Sequence, residues 1–180
     1  MPEVGESVSV ASGDQSQDPD EQETPRECPV CGAVWKKKEP TLGQVRRAIQ
    51  EVFSGFKVEV KALDAAALLG YRGSVAAGVV GNRNKPHYGY EPDIRGECGT
   101  KYDIDGFLIS KKLFDTLPKD DKGRCWGSRD RNLRALQSSL RRALTGRAEL
   151  THMKNEFGFR VWHPRDQNYV TQHGAIIVIW

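Results

Sequence analysis

Gly73 and Ser74, in the turn Tyr71-Arg72-Gly73-Ser74, and Asp103 and Asp105, in the run Tyr-Asp-Ile-Asp-Gly-Phe-Leu-Ile-Ser, are residues whose types and spacing suit metal-assisted phosphate chemistry. On an extended strand side chains alternate between faces, so Asp103 and Asp105 point one way and Ile104 the other. The apolar run Phe107, Leu108, Ile109 predicts that the acids open a buried strand. Two carboxylates that close repel each other, and a pKa rises unless a cation lies between them. Magnesium matches such a pair, being hard, oxygen-seeking and able to keep positions open for water and substrate phosphates. Gly73 permits close backbone approach, and Ser74 adds a hydroxyl and an amide. Such a turn holds a phosphate through N–H groups, more firmly where a helix begins. Arg72 beside the turn, and Lys85 and Lys101 in the loop that follows, are expected to meet a carboxylate or a phosphate. The same acid pair also occurs in calcium loops and surface hairpins.

Gly73-Ser74 followed by Asp103-Ile104-Asp105 resembles the signature of the nucleotidyltransferase superfamily, to which the alarmone pyrophosphokinases are related in fold. The resemblance implies that Gly73 and Ser74 grip a triphosphate, whose charge Arg72 beside them is expected to neutralise, and that Asp103 and Asp105 carry Mg2+. It covers about a quarter of the chain, and 28 residues (75–102) separate its two parts, more than is usual in that family. Gly78, Gly81, Gly89, Gly96 and Gly99 in this insertion are expected to let it fold away as a flap while the motifs stay together. The resemblance also implies a third carboxylate from a neighbouring strand. Glu149, Glu156 and Asp166 are the candidates, and Glu149 is taken.

The elements that must position these residues fit one domain with a tail. With 180 residues and 38% hydrophobic content, the chain can bury one modest core. No apolar run reaches membrane-spanning length and no secretory signal opens the chain, so a soluble protein is expected. Residues 1–27 carry eight acids against Arg26, a net −7, and the remainder carries 26 bases against 16 acids, a net +10. The acidic segment 1–27 reads as a disordered tail or linker. This basic remainder, which includes the catalytic domain expected over 41–180, favours an anionic substrate, a nucleotide or RNA, although a solvated lysine surface has the same composition.

Between them, 28–40 holds Cys28-Pro29-Val30-Cys31-Gly32, which resembles a zinc-knuckle half-site presenting two thiolates to one Zn2+. Closing a tetrahedron requires Cys98 and Cys125, a histidine, or another chain. A free surface pair and the remnant of a preceding domain are the alternatives, and so few thiols do not make a disulfide scaffold. His87, His152, His163 and His173 share no metal spacing and read as surface or core residues, with His87, in the flap, the one to test.

Thr41 is expected to cap a helix through Leu42, Val45, Ile49 and Val52 to Phe53. A strand is expected over 56–60, helix and strand stay open over 62–69, and a short helix is expected over 111–117. Residues 118–127 read as a polar loop. The clearest helix runs over 128–144, with Ser128 as N-cap, Asp130 complementing the dipole, Leu133, Leu136, Leu140 and Leu144 as its stripe, and Gly146 as its end. Arg131, Arg134 and Arg141 form another face, able to meet phosphates or simply to stay in water. Strands are expected over 150–154, 157–162 and 175–180. Arg160, set among aromatic residues of the middle one, requires a carboxylate or phosphate partner.

The fold class expected is α/β (α+β), a mixed β-sheet with flanking helices. The function expected is magnesium-dependent transfer of a nucleotidyl or pyrophosphoryl group from a nucleoside triphosphate to a nucleotide or RNA acceptor. A metal-dependent ribonuclease and a non-catalytic zinc-knuckle RNA-binding module are the alternatives. An acidic lead, a Cys-Pro-x-Cys element and a small basic domain in one chain are similar to the C-terminal toxin cassette of bacterial polymorphic or type VI secreted effectors. That resemblance implies action in a target cell's cytoplasm and a cognate immunity protein.

Overall fold

The computed structural model describes residues 26–36, 39–172 and 174–180. The expected tail over 1–27 lies outside the described residues except for its last two, and so does His173. Those last two residues form β1 (Arg26–Glu27), which pairs antiparallel with β2 (Val34–Trp35) and makes the cysteine turn the tip of a small hairpin.

α1 (Leu42–Gly55) begins where Thr41 and Gln44 build a capping box. The Gln44 amide donates to Thr41 Oγ1 at 3.2 Å, and the Thr41 amide donates to Gln44 Oε1 at 2.6 Å. Its buried stripe is Val45, Ala48, Ile49, Val52 and Phe53, as expected. The strand expected over 56–60 is instead α2 (Lys57–Leu63). Val58 and Val60 do not share a face there: Val60 is buried and Val58 is 79% exposed. The alternation of valines was a poor guide because Lys57, Glu59 and Lys61 between them are good helix formers. The open stretch 62–69 divides, with Asp64 ending α2 and β3 (Leu68–Arg72) following.

Gly73 leads into the single turn α3 (Ser74–Ala77), then the insertion, then β4 (Asp105–Ile109). Ser110 caps α4 (Lys111–Thr116) by accepting from the Leu113 amide at 3.0 Å. The polar loop expected over 118–127 contains the short strand β5 (Cys125–Trp126).

α5 (Arg131–Thr145) ends at Gly146 and buries Leu133, Leu136, Leu140 and Leu144, yet its N-cap is Asp130, not Ser128. Asp130 Oδ1 accepts from the Asn132 and Leu133 amides, both at 2.9 Å, while Ser128 lies in the preceding 3-10 turn. Asp130→Ala should therefore cost about 1 kcal/mol in urea unfolding and Ser128→Ala a few tenths at most. Equal losses would return the cap to Ser128.

The strand expected over 150–154 is not formed; Ala148–Leu150 is a 3-10 turn, and Met153 only bridges to Tyr102. β6 (Gly158–Trp162), α6 (Gln167–Thr171) and β7 (Ile176–Ile179) complete the chain.

Strands β3 to β7 form one sheet in the order β5-β6-β4-β3-β7, mixed because β4 and β6 are parallel while its other pairs are antiparallel. One face packs on α1 and α5 through Leu69, Tyr71, Leu108, Phe159 and Val161, with the Phe53 ring edge-on to Tyr71 and Phe157, both at 5.8 Å between centroids. The opposite face carries Arg72, Asp105 and Arg160 by alternation. Only part of it is closed, by a small cluster of Phe107, Ile109, Trp162 and Val170. Among the described residues no helix is long and apolar enough to cross a membrane.

Candidate active site and metal centre

Pairing of β3 with β4 places Arg72 directly opposite Asp105, so the turn after one strand meets the acids before the other. The insertion leaves these ends together, as the sequence implied. Gly73 adopts φ 102°, ψ −168°, and a Cβ there would lie 3.3 Å from Asp105 Oδ2 and 3.9 Å from the Asp103 carbonyl. The amides of Ser74, Val75 and Ala76 lie ahead of the first hydrogen bond of the α3 turn. Arg46 of α1 anchors that turn, Nε donating to the Val75 carbonyl and Nη2 to the Ala76 carbonyl, each at 2.8 Å.

Asp105 is the first residue of β4, and Asp103 stands just ahead of the strand rather than on it. Lys85 from the insertion donates to both Asp103 oxygens at 3.1 Å, and Lys154 Nζ lies 3.7 Å from Oδ2. Lys154 is a site residue that sequence reasoning missed. Its place follows from a long-range contact, the Lys154 amide donating to the Tyr102 carbonyl at 2.8 Å.

The two carboxyls differ electrostatically. Partial burial opposes ionisation of Asp103, but the Lys85 hydrogen bond and the Lys85 and Lys154 charges outweigh it and hold the pKa below the usual range. Asp105 is raised: it lies at the exposed end of the strand, yet poor hydration of its carboxyl and the Asp103 charge prevail over Arg72, Lys85 and Lys154.

Glu149 lies in the turn after α5, where Arg147 grips it at 3.2 Å from both Nε and Nη2 and also donates to Glu51 of α1 at 2.8 Å. The ion pair ties that turn to α1. Opposite Asp105, β6 presents Gly158 and no carboxylate. Lys101 is exposed.

Of the carboxylate or phosphate expected as its partner, Arg160 meets no carboxylate within hydrogen-bond reach among the described residues. Its guanidinium stacks 3.7 Å from the Trp162 ring centroid, its Nε makes no hydrogen bond, and burial followed by the Arg72 and Arg124 charges lowers its pKa. The aromatic face takes up the charge instead of a carboxylate. Arg72 lies over the same ring at 5.4 Å, and Arg124 over Trp126 at 5.4 Å, so arginines stacked on tryptophans line the sheet face beside Asp105.

A second cluster lies between the cysteine hairpin and the insertion. Donor atoms of Cys28, Cys31, His87 and Cys98 all fall within 4.8 Å of one another, a set that could hold a metal ion. Three sulfurs and an imidazole in that space suit tetrahedral Zn2+ and not Mg2+, which wants oxygen. The Cys28 amide donates to the Ala33 carbonyl and the Gly32 amide to the Cys28 carbonyl, both at 2.8 Å, with Gly32 at φ 70° completing the turn. Burial opposes the Cys28 thiolate, but the Cys31 and Val30 amides overcome it and lower the pKa to about 6. Cys98 is pushed up to about 12, chiefly by burial, the other thiols and Asp93 adding to it. Of the closures the sequence left open, the structure brings Cys98 and a histidine to the pair. Cys125 lies instead on β5 in the main core. His87 had no signal in spacing; only the fold brings it to the cysteines. Comparisons with protein-family models, curated proteins and solved structures give no match to this chain.

Proposed function

We propose that this chain is a magnesium-dependent transferase that moves a nucleotidyl or pyrophosphoryl group from a nucleoside triphosphate to a nucleotide or RNA acceptor. The observation that carries the reading is the Arg72–Asp105 register, which seats the Gly73 turn against the Asp105 carboxylate and the Asp103 backbone at the edge of a cationic sheet face. Asp103 and Asp105 fit a divalent cation, since poor hydration and like charge hold Asp105 above its usual range and a dication relieves both. Bound there, Mg2+ supplies Lewis-acid stabilisation of the charge that builds on the phosphates.

The Ser74 hydroxyl and the amides after Gly73 hold the triphosphate tail, whose charge Arg72 balances. Lys85 and Lys154, already at Asp103, add further positive charge. An acceptor hydroxyl attacking the α-phosphorus expels pyrophosphate; attack at the β-phosphorus expels a nucleoside monophosphate. Arg160 on Trp162 supplies a flat cationic surface on which an acceptor base can stack.

Incubation with Mg2+, labelled ATP and either nucleotides or total RNA should give a product whose added mass identifies the group moved. RNA fragments with no label transferred would replace this reading with a ribonuclease that uses water at the same acids. The Cys28, Cys31, His87, Cys98 cluster favours another reading, a zinc-knuckle RNA-binding module, for which RNA affinity should fall in Cys28→Ser, Cys31→Ser with neither transfer nor cleavage detectable. As a bacterial antagonistic toxin delivered to a target cell's cytoplasm, the chain would slow growth when expressed alone and be relieved by an acidic immunity protein.

A further inference from the structure

The 28-residue insertion 75–102 has little to hold it. Beyond α3 its backbone bonds up to Tyr90 are local turns, the Val80 amide to the Tyr90 carbonyl at 2.8 Å, the Tyr90 amide to the His87 carbonyl at 2.9 Å, and the Lys85 amide to the Asn82 carbonyl at 3.0 Å, and the Lys154 amide reaches only its last residue, Tyr102. Of its apolar side chains past α3, Val80, Ile94 and Tyr102 are buried, while Val79, Tyr88 and Tyr90 are exposed. A loop of this length inside a domain, without an apolar core of its own, requires a fastening.

His87 is where the fastening shows. It is 5% exposed, and its Nε2 makes no hydrogen bond. Its backbone is at φ 64°, a region few residues with a Cβ occupy. An imidazole buried with an idle lone pair, on strained backbone, is costly unless something bonds it. The groups beside it are three sulfurs.

Cys98 is held in place with similar care. Asp93 Oδ2 accepts from the Cys98 amide at 3.0 Å and from the Thr100 amide and hydroxyl at 3.1 Å, while Oδ1 accepts from the Glu97 amide at 3.0 Å. This carboxylate shapes the loop around the sulfur, the part that outer-shell groups play at metal sites. The cysteine hairpin meets the same loop through the Lys36 amide, which donates to Glu97 Oε1 at 2.7 Å, and through Arg95, 5.6 Å over the Trp35 ring.

We propose that Cys28, Cys31, His87 and Cys98 bind one structural Zn2+ that clasps the hairpin to the insertion and thereby holds Lys85 against Asp103. All four positions are filled by protein, so the ion is a staple and not a catalyst. The metal joins three distant segments, and the two it fixes in the insertion flank the acid site: Lys85 lies two residues before His87, and Asp103 five after Cys98. Zinc binding stands on the cluster's own geometry and does not depend on the transferase reading.

The test uses the whole chain. Purified from zinc-containing medium, it should carry one zinc per chain by mass spectrometry, and Co2+ exchanged into it should show the visible absorption of a tetrahedral thiolate site. His87→Ala and Cys98→Ser should each lose stoichiometric zinc, while Cys125→Ser should keep it. In the unmutated protein, chelation should speed tryptic cutting after Arg83 and Arg95 and raise acetylation of Lys85 severalfold relative to Lys111, with zinc reversing both. Protein purified without zinc that takes up no Co2+, or zinc lost as readily from Cys125→Ser, would overturn the site. Unchanged cutting and unchanged Lys85 labelling after complete zinc removal would overturn the clasp, whatever the enzyme assays show.

Discussion

Asp105→Asn should lower transfer at least about a hundredfold while leaving the folded protein as stable as the parent, or more so, at neutral pH. The loss follows from removing one of two carboxylates proposed to hold the dication, which contributes several kcal/mol of transition-state stabilisation at about 1.4 kcal/mol per tenfold in rate. The stability follows from the sign of the Asp105 shift. Its pKa is raised on folding, so the ionised carboxylate weakens the fold at neutral pH, and the penalty fades as pH falls back through the raised value. Asp103 runs the other way. Its pKa is depressed by Lys85 and Lys154, so it adds stability above its unfolded pKa that is lost as pH falls through the folded one. Melting temperatures from neutral to acid pH should therefore show Asp105→Asn at or above the parent, Asp103→Asn below it, and both gaps narrowing toward acid. Exposure keeps the stability effects small, whereas both variants should lose turnover. Near-normal transfer by Asp105→Asn would sink the magnesium site and the transferase reading with it.

The parts of this molecule legible in the sequence are those fixed by local spacing. The leucine stripe of α5 and the Thr41 start of α1 repeat at helical intervals, and helix packing needs little else to be inferred. Gly73-Ser74 and Asp103-Asp105 were legible as motifs, and so was the expectation that a glycine-rich insertion would not part them. Where two local rules competed, the sequence was a weaker guide. Val58 and Val60 obey strand alternation, but they sit between helix-favouring charged residues directly after α1. Ser128 and Asp130 are both good caps, and the 3-10 turn that decides between them depends on packing: a Cβ on Gly127 would meet the Phe159 ring at 2.5 Å. Long-range chemistry was the least legible. His87 meets Cys28 and Lys154 meets Asp103 only because the chain turns back on itself, and no spacing rule links them. For Arg160 the expectation was a carboxylate or a phosphate, and a stacked indole, which the sequence reading did not weigh, lodges its guanidinium.

Gly73→Ala should damage transfer far more than it damages the fold. At φ 102° with ψ −168°, Gly73 occupies a region essentially reserved for glycine, so a Cβ there costs about 1–3 kcal/mol if the backbone stays where it is. The new carbon would also stand 3.3 Å from Asp105 Oδ2, tight but relievable by a small movement of the carboxylate. Whichever gives way, the backbone or the carboxylate, the turn and the acid no longer keep the spacing on which phosphate and metal positioning are proposed to depend. Displacement on the ångström scale is enough to lose on the order of a hundredfold in rate. Gly123→Ala provides the comparison. It also has left-handed backbone, φ 71°, with nothing within 4 Å of the added carbon, and it lies in the loop before β5. It should cost about 1–2 kcal/mol in denaturant unfolding and leave turnover of the folded fraction unchanged. If Gly73→Ala loses no more turnover per folded molecule than Gly123→Ala, the turn does not position substrate, and Gly73 is only a strand ending.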